Sequence, residues 1–293
     1  MRKRIAVTIA GLGLFAAAAA PTAAITNNYV ADFEHPFVGL VVFYDSAGEF
    51  SHRCSGSLLT PRVFLTAGHC TGDGAGGVMP SARVYFQQDA GARFNGTIDP
   101  VTGYPETCAG ATLGVVCATS SEMFNYGFNN FAGFPDIKDL GLVILDQPID
   151  VAEYGSLAAA STLDDIHERR GHQDITFTVS GYGLSYSSPV AFTSFRSRLM
   201  AEAKLVNVKG GLNKGFNLQT NGNGDDRGGT CSGDSGGPVF YPADSNTLVA
   251  VTSFGLNRWC RGTDFALRTD TEAALAWILS HVPASEVGDI VIE

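Results

Sequence analysis

Apolar residues along this chain come in short runs, each closed by turn residues, and only one stretch near the end has a helical period. Phe37–Tyr44 reads Phe-Val-Gly-Leu-Val-Val-Phe-Tyr and stops at Asp45-Ser46-Ala47-Gly48, which predicts a strand and a turn. Cys54–Leu59 and Val63–Thr66 predict two more strands around Thr60-Pro61-Arg62. Residues 71–80 are a loop by composition, and residues 81–98 are again strand-like. Leu140–Leu145 is a compact apolar run ended by Gln147-Pro148, Ile175–Val179 alternates, and Lys204–Val208 and Val249–Phe254 give later strands. Between them, 99–135 and 221–229 are irregular and rich in Gly and Asn. The predicted helix follows Thr269-x-x-Glu272, read as a capping box, with Leu275, Ile278 and Leu279 on one face and Trp277 nearby. Residues after His281 read as a loose tail. Many short strands, 35 glycines and one helix predict an all-β protein.

The first 24 residues break this pattern. Arg2, Lys3 and Arg4 precede an apolar run, Ile5–Ala20, and then Pro21-Thr22-Ala23-Ala24 supplies small residues suited to signal peptidase. The run is short for a bilayer span, so a cleaved leader is expected and the remainder should be a secreted, extracellular protein without a membrane anchor.

Export changes how the composition is read. Six cysteines in an exported chain are expected to pair, although six allow 15 connectivities. Losing the leader takes 19 basic residues to 16 against 29 acidic ones, a net −13. That balance argues against nucleic acid as a partner, because phosphate contacts need clustered Lys and Arg. With 45% hydrophobic and 16% charged residues, 293 residues suffice for a large domain or two halves sharing a cleft.

Two strings carry chemistry. Gly233-Asp234-Ser235-Gly236-Gly237-Pro238 places a serine between glycines that permit a sharp turn, expose the hydroxyl and aim N–H groups at a reacting carbonyl. A serine hydroxyl is a weak nucleophile and needs a base. Leu65-Thr66-Ala67-Gly68-His69-Cys70 offers one, followed directly by a cysteine that can clamp Cys54, sixteen positions earlier.

These strings, in this order, resemble the trypsin/chymotrypsin family of serine proteases. The resemblance spans about Ile25 to Leu279, with an unmatched insertion near 99–135. It implies two packed six-stranded antiparallel Greek-key barrels with a C-terminal helix. The leader would then be 1–24, the protease domain 25–281 with its barrel boundary near 150–175, and the tail 282–293. It also implies an aspartate opening a buried strand between His69 and Ser235. Asp139, before Leu140-Gly141-Leu142-Val143-Ile144-Leu145, fits; Asp136 and Asp146 do not open such a run. By resemblance, Ser235 attacks the carbonyl carbon, His69 moves the proton, Asp139 orients the imidazole, and the N–H groups of Gly233 and Ser235 form the oxyanion hole. No metal or cofactor is implied; the partners are protein or peptide substrates and the enzyme is a monomer.

Further positions follow from the same likeness. Val179-Ser180-Gly181-Tyr182-Gly183 is similar to the family's Gly-Trp-Gly turn, and Ser253-Phe254-Gly255 to its substrate-pairing Ser-Trp-Gly strand. Cys231 and Cys260 match the bridge that braces the specificity pocket, leaving Cys108 with Cys117 inside the insertion. The pocket base falls at Gly229 and Thr230, where a trypsin carries aspartate, while Asp264 matches another floor position able to attract Lys or Arg. Ile25 lies where the family inserts a new N-terminal amine against the residue before the nucleophile, here Asp234. Asn95-Gly96-Thr97 fits the glycosylation pattern. The rival expectation is a catalytically silent, protease-like binding module. An esterase of the fold that places Ser first fits badly, because Ser235 follows both His69 and Asp139.

Overall fold

The computed structural model describes residues 25–90, 108, 116–167, 174–194 and 196–293. The expected leader, the triplet Asn95-Gly96-Thr97 and most of 99–115 lie outside the described residues. The strands are β1 Val30–Ala31, β2 Val38–Tyr44, β3 Phe50–Leu58, β4 Val63–Thr66, β5 Ser81–Tyr85, β6 Cys117–Ser120, β7 Glu122–Asn125, β8 Gly141–Ile144 and β9 Ser156–Leu157. They continue as β10 Thr176–Gly181, β11 Tyr186–Ser187, β12 Phe192–Thr193, β13 Leu199–Asn207, β14 Asn217–Asn221, β15 Pro238–Phe240, β16 Thr247–Gly255 and β17 Thr263–Arg268. Two helices accompany them, the one-turn α1 Gly68–Thr71 and α2 Glu272–His281.

Apart from β11 and β12, which pair only with each other, these strands build two antiparallel barrels. The first runs β6-β5-β2-β3-β4-β8-β7. Its edge strands, β6 and β7, are separated in the chain only by Ser121, so one bent segment nearly closes the ring. Ser120 braces the bend: its hydroxyl donates to Ile144 O at 2.7 Å and accepts from Glu122 N. Seven strands therefore stand where six were expected, because one family strand is broken at the bend. The second barrel closes fully through β13-β10-β15-β16-β17-β14 and back to β13, with β1 and β9 attached outside.

Burial explains the hydrophobic pattern. Every residue of β2 is buried, which suits its continuous apolar run. By contrast β13 alternates buried and accessible positions, the period of a strand with one face on a core. It begins at Leu199, five residues earlier than expected. One apolar cluster fills the first barrel and extends to Ala274, Leu275 and Ile278 of α2; a second, including Ile25, fills the second barrel. The helix packs through Leu275 and Ile278 as expected, but it starts two residues later, capped by Thr271, whose hydroxyl accepts from Ala274 N. Thr269 is instead fully buried and donates to Leu248 O, because the chain is still leaving β17 at that point.

Two further expectations change. The 99–135 stretch is not wholly an insertion, since it supplies β6 and β7. Residues beyond His281 are docked and not loose. Leu157 and Ile292 form a parallel bridge, and the Glu286 carboxylate, 9% exposed, accepts from the Thr60 hydroxyl at 2.5 Å and from Arg62 N at 3.2 Å. Buried donors left without an acceptor cost about 1–3 kcal/mol. Glu286→Ala is therefore expected to lower stability by about 1–3 kcal/mol in urea unfolding with an unchanged slope; an unaltered midpoint would contradict this docking.

Candidate functional site

His69 is carried by α1, immediately after β4. The helix is held against β3 by the Cys54–Cys70 bridge and against the start of β8 by close contact: a Cβ on Gly68 would lie 2.9 Å from Leu140 N. That approach seats His69 over Asp139, which is completely buried. Asp139 Oδ1 accepts from the His69 backbone N–H at 2.7 Å, and Oδ2 bonds the ring Nδ1 at 2.8 Å. Ser253, on β16 of the other barrel, donates its hydroxyl to the same Oδ2. The sequence marked Ser253 only as part of a strand, and nothing in the local pattern announces this side-chain role.

Ser235 sits in the turn before β15, and its backbone is pinned from several sides. Gly237 N donates to Asp234 O at 2.8 Å, and Leu184 N donates to Ser232 O at 2.9 Å. In a trans peptide the N–H points opposite to the C=O. Fixing these two carbonyls therefore directs the N–H groups of Gly233 and Ser235 the other way, and among the described residues neither donates to protein. Gly233 and Gly236 have φ of +98° and +83°, a region that L side chains rarely adopt. At Gly236 a Cβ would also come within 2.0 Å of Thr66 Oγ1. This steric demand explains the Gly-Asp-Ser-Gly-Gly string.

Ser55, fully buried on β3, grips the turn from the first barrel. Its N–H donates to Ser235 O at 2.8 Å, its hydroxyl donates to Gly233 O at 2.8 Å, and the same oxygen accepts from Tyr182 N at 2.9 Å. Sequence reasoning missed it, because a serine beside Cys54 carries no distinctive pattern. His69 and Ser235 line one wide cavity together with Gly233, Arg53 and Phe128. Among the described residues no hydrogen bond joins the Ser235 hydroxyl to the His69 ring. The donor atoms of Cys54, His69 and Cys70 lie within 4.8 Å of one another, but both sulfurs are already joined to each other, so no thiolate is present for a metal.

A second cavity of about 180 Å³ opens beside Ser235, lined by Thr230, Cys231, Ser253, Phe254, Gly255, Cys260 and Asp264 among others. The Cys231–Cys260 bridge forms part of its wall, as expected, and Cys108 pairs with Cys117. Asp264 faces this cavity and accepts from Thr230 N at 2.8 Å. Burial pushes its carboxyl up to about 6. Gly229 lies directly below, and a Cβ there would come 2.7 Å from Asp264 Oδ2. The loss of a side chain at 229 and the carboxylate at 264 are thus one steric arrangement.

Asp234 is wholly buried and accepts from Gly183 N at 2.7 Å and Cys231 N at 2.9 Å. A Cβ on Gly181 or Gly183 would meet its carboxylate at 2.4–2.5 Å, which is why glycines flank Tyr182. Burial, helped by the charge of Asp264, pushes Asp234 up to about 7. No cation stands at ion-pair distance among the described residues. Nearby, Ile25 is fully buried, and Thr26 exchanges two backbone hydrogen bonds of 2.9 Å with Gly229. Tyr182, in place of the family's tryptophan, sends its hydroxyl to Gln87 O at 2.8 Å across the barrel interface.

Comparisons with known proteins agree with this architecture. Over 245 residues the chain is 24% identical to the chymotrypsin-like elastase family member 3B of Homo sapiens, covering 80% of each chain. It is also 24% identical to the proproteinase E of Bos taurus, covering 80% of this chain and 85% of that one. Among solved structures, a collagenase designated HL superposes with a TM-score of 0.59 at 18% identity, covering 88% of this chain and 97% of its own. A scabies mite inactivated protease paralogue gives 0.58 at 15%, with the same coverage. Human heparin binding protein gives 0.57 at 19%, covering 88% and 98%. The model of the Trypsin family matches residues 30–278, most of the chain, and the protein therefore belongs to the trypsin family.

Proposed function

We propose that this chain is an exported serine endopeptidase that hydrolyses peptide bonds through an acyl-enzyme. The observation that carries this reading is the pair of undonated N–H groups, Gly233 and Ser235, directed away from their fixed carbonyls beside the Ser235 hydroxyl. Developing negative charge on a tetrahedral intermediate is stabilised by such preorganised donors, and losing one typically costs ~10²–10³ in turnover. In the proposed cycle Ser235 attacks the carbonyl carbon and His69 takes its proton through Nε2, because Asp139 occupies Nδ1. Asp139 fixes the tautomer and stabilises the imidazolium. The protonated ring then donates to the leaving amine, and water repeats the sequence to release the acid.

Substrate would pair with the Ser253-Phe254-Gly255 strand and insert one side chain into the cavity lined by Thr230 and Asp264, with Gly229 packed against the Asp264 carboxylate. Above pH about 6 the Asp264 carboxylate is charged, so Lys or Arg is the expected side chain there. For Asp234 the proposed counter-charge is the α-amine of Ile25, freed when a leader is removed after Ala24. The burial of Ile25, the pairing of Thr26 and the lack of an ion-pair partner for Asp234 among the described residues support this arrangement. A non-catalytic binding module is the second reading, favoured by the missing Ser235–His69 hydrogen bond and by likeness to an inactivated paralogue.

Four experiments test this reading. A serine-directed phosphonate should label the mature protein but not Ser235→Ala, and that variant should lose at least ~10⁴-fold in peptide hydrolysis; an unlabelled wild type would favour the binding module. Asp264→Ala should lower kcat/KM for Arg substrates about 10²-fold while Leu substrates change little. The same site gives a stability test. The folded Asp264 is raised above its ordinary value, so between pH 4 and 6 the folded chain holds a proton that the unfolded chain has lost, and stability falls as pH rises. Asp264→Asn is thus expected to be more stable than wild type at pH 8, on the order of 2–3 kcal/mol, with the gap closing toward pH 4. Finally, Edman sequencing of active secreted protein should begin at Ile25, and one extra residue ahead of it should sharply reduce turnover.

A further inference from the structure

We propose that Arg53 forms an acid-selective subsite for the substrate residues that follow the scissile bond. This rests on the endopeptidase reading, because the direction of the bound chain depends on it. Two cavities meet at Ser235. A peptide lying along Ser253-Phe254-Gly255, with one side chain over Asp264, fills the smaller one on the acyl side of the serine. The part beyond the cut must leave through the larger cavity, whose wall includes Ser51, His52, Arg53 and Cys54 of β3.

Arg53 is set where that departing chain begins. A Cβ built on Gly233 would be 3.7 Å from Arg53 Nε, which places the guanidinium beside the proposed oxyanion donor. The side chain is oriented by a 2.6 Å hydrogen bond from Nη2 to Ser194 Oγ, so part of its ordering cost is already met before substrate arrives. A guanidinium presents several donors in a fixed fork and stays charged throughout the working range.

The other charged or titratable groups along this wall do not compete for the role. His52 is held toward its neutral form by burial, with Nε2 on Cys70 O at 2.8 Å and Nδ1 bonded to Ser51 Oγ. Asp73 is turned into its own loop, accepting from Ala75 N and Gly77 N at 2.8 Å each. His69 is committed to Asp139. Asp234 lies close enough to feel Arg53, but it is wholly buried behind Gly233 and Gly183. On a chain with a strong excess of acidic residues, Arg53 is a local positive point that an acidic side chain can reach from solvent. The ligand class is therefore a peptide with Glu or Asp one or two residues after the cleaved bond.

The test uses mature protein and peptides identical up to the cut, carrying Glu, Gln or Lys one or two positions beyond it. Glu peptides should exceed their Gln counterparts about tenfold in kcat/KM, with Lys lowest, since a charge-assisted hydrogen bond is discriminated on that scale. Arg53→Gln should bring the Glu/Gln ratio close to one, and Arg53→Lys should restore part of it. Equal rates for Glu and Gln in wild type, or a ratio unmoved by Arg53→Gln, would overturn the subsite. Binding of the same peptides to Ser235→Ala and to its Arg53→Gln double variant, measured by calorimetry, separates the two layers of argument. An Arg53-dependent Glu preference in binding without cleavage by wild type would sink the endopeptidase reading and leave Arg53 as an acid-binding site on a peptide that is not cut; no preference in binding would remove the subsite alone.

Discussion

The buried carboxylate of Asp139 is the point on which the arrangement turns. It accepts from the His69 backbone, from the His69 ring and from the Ser253 hydroxyl, so three protein donors converge on one carboxylate. His69 and Asp139 belong to the first barrel and Ser253 to β16 of the second. The carboxylate therefore fixes the imidazole and also ties the two barrels at the place where their surfaces must agree. Its burial gives each bond more weight than it would have in water, and makes an unpaired alternative costly. A relative shift of the barrels would break the Ser253 bond and move Ser235 away from His69 together.

Ser55 completes the alignment from the other direction. It is a first-barrel residue whose N–H and hydroxyl hold two carbonyls of the second barrel's serine turn. Arg198 works similarly: buried in the interface, its Nη1 donates to Val38 O and Phe86 O, and its Nε to Asp32 O. Such bonds are geometric constraints more than sources of net stability, since each replaces a bond to water. They join the two barrels across one cleft. The proposed nucleophile and base are set by opposite walls of that cleft.

Much of this was legible in the sequence where a short string has a single steric solution. Gly233 to Pro238 could be read because positive φ and the crowding at Gly236 leave glycine no substitute, and the same holds for Gly181 and Gly183 against Asp234. Strands with continuous apolar runs, such as β2, β4 and β8, were also visible. The less visible strands were polar on one face: β14 reads Asn-Leu-Gln-Thr-Asn, and β17 opens on Thr263-Asp264 because its first residues line the pocket. In β6 and β7 the bend at Ser121 interrupts the period that would have marked one strand. Long-range roles were out of reach altogether. Thr269 and Thr271 differ in their partners because Thr269 directly follows β17 and Thr271 directly precedes α2, and Ser253 and Ser55 act on residues more than a hundred positions away.

The two raised carboxylates complete the physical picture. Asp234 and Asp264 are both buried, Asp234 held by two backbone N–H groups and Asp264 by the backbone and side chain of Thr230, and the charge of Asp264 is one cause of the raised Asp234. Repulsion between titrating groups is reciprocal, so each makes the other harder to ionise. A cation delivered to Asp234 would offset that repulsion and let Asp264 ionise at lower pH. In the proposed enzyme this links the new amino terminus to the specificity pocket through charge as well as through the Thr26–Gly229 pairing. Freeing Ile25 would then do more than order the pocket wall: it would make the pocket floor a better partner for a basic side chain, and a bound basic side chain would in turn favour the charged Asp234 that retains the terminus.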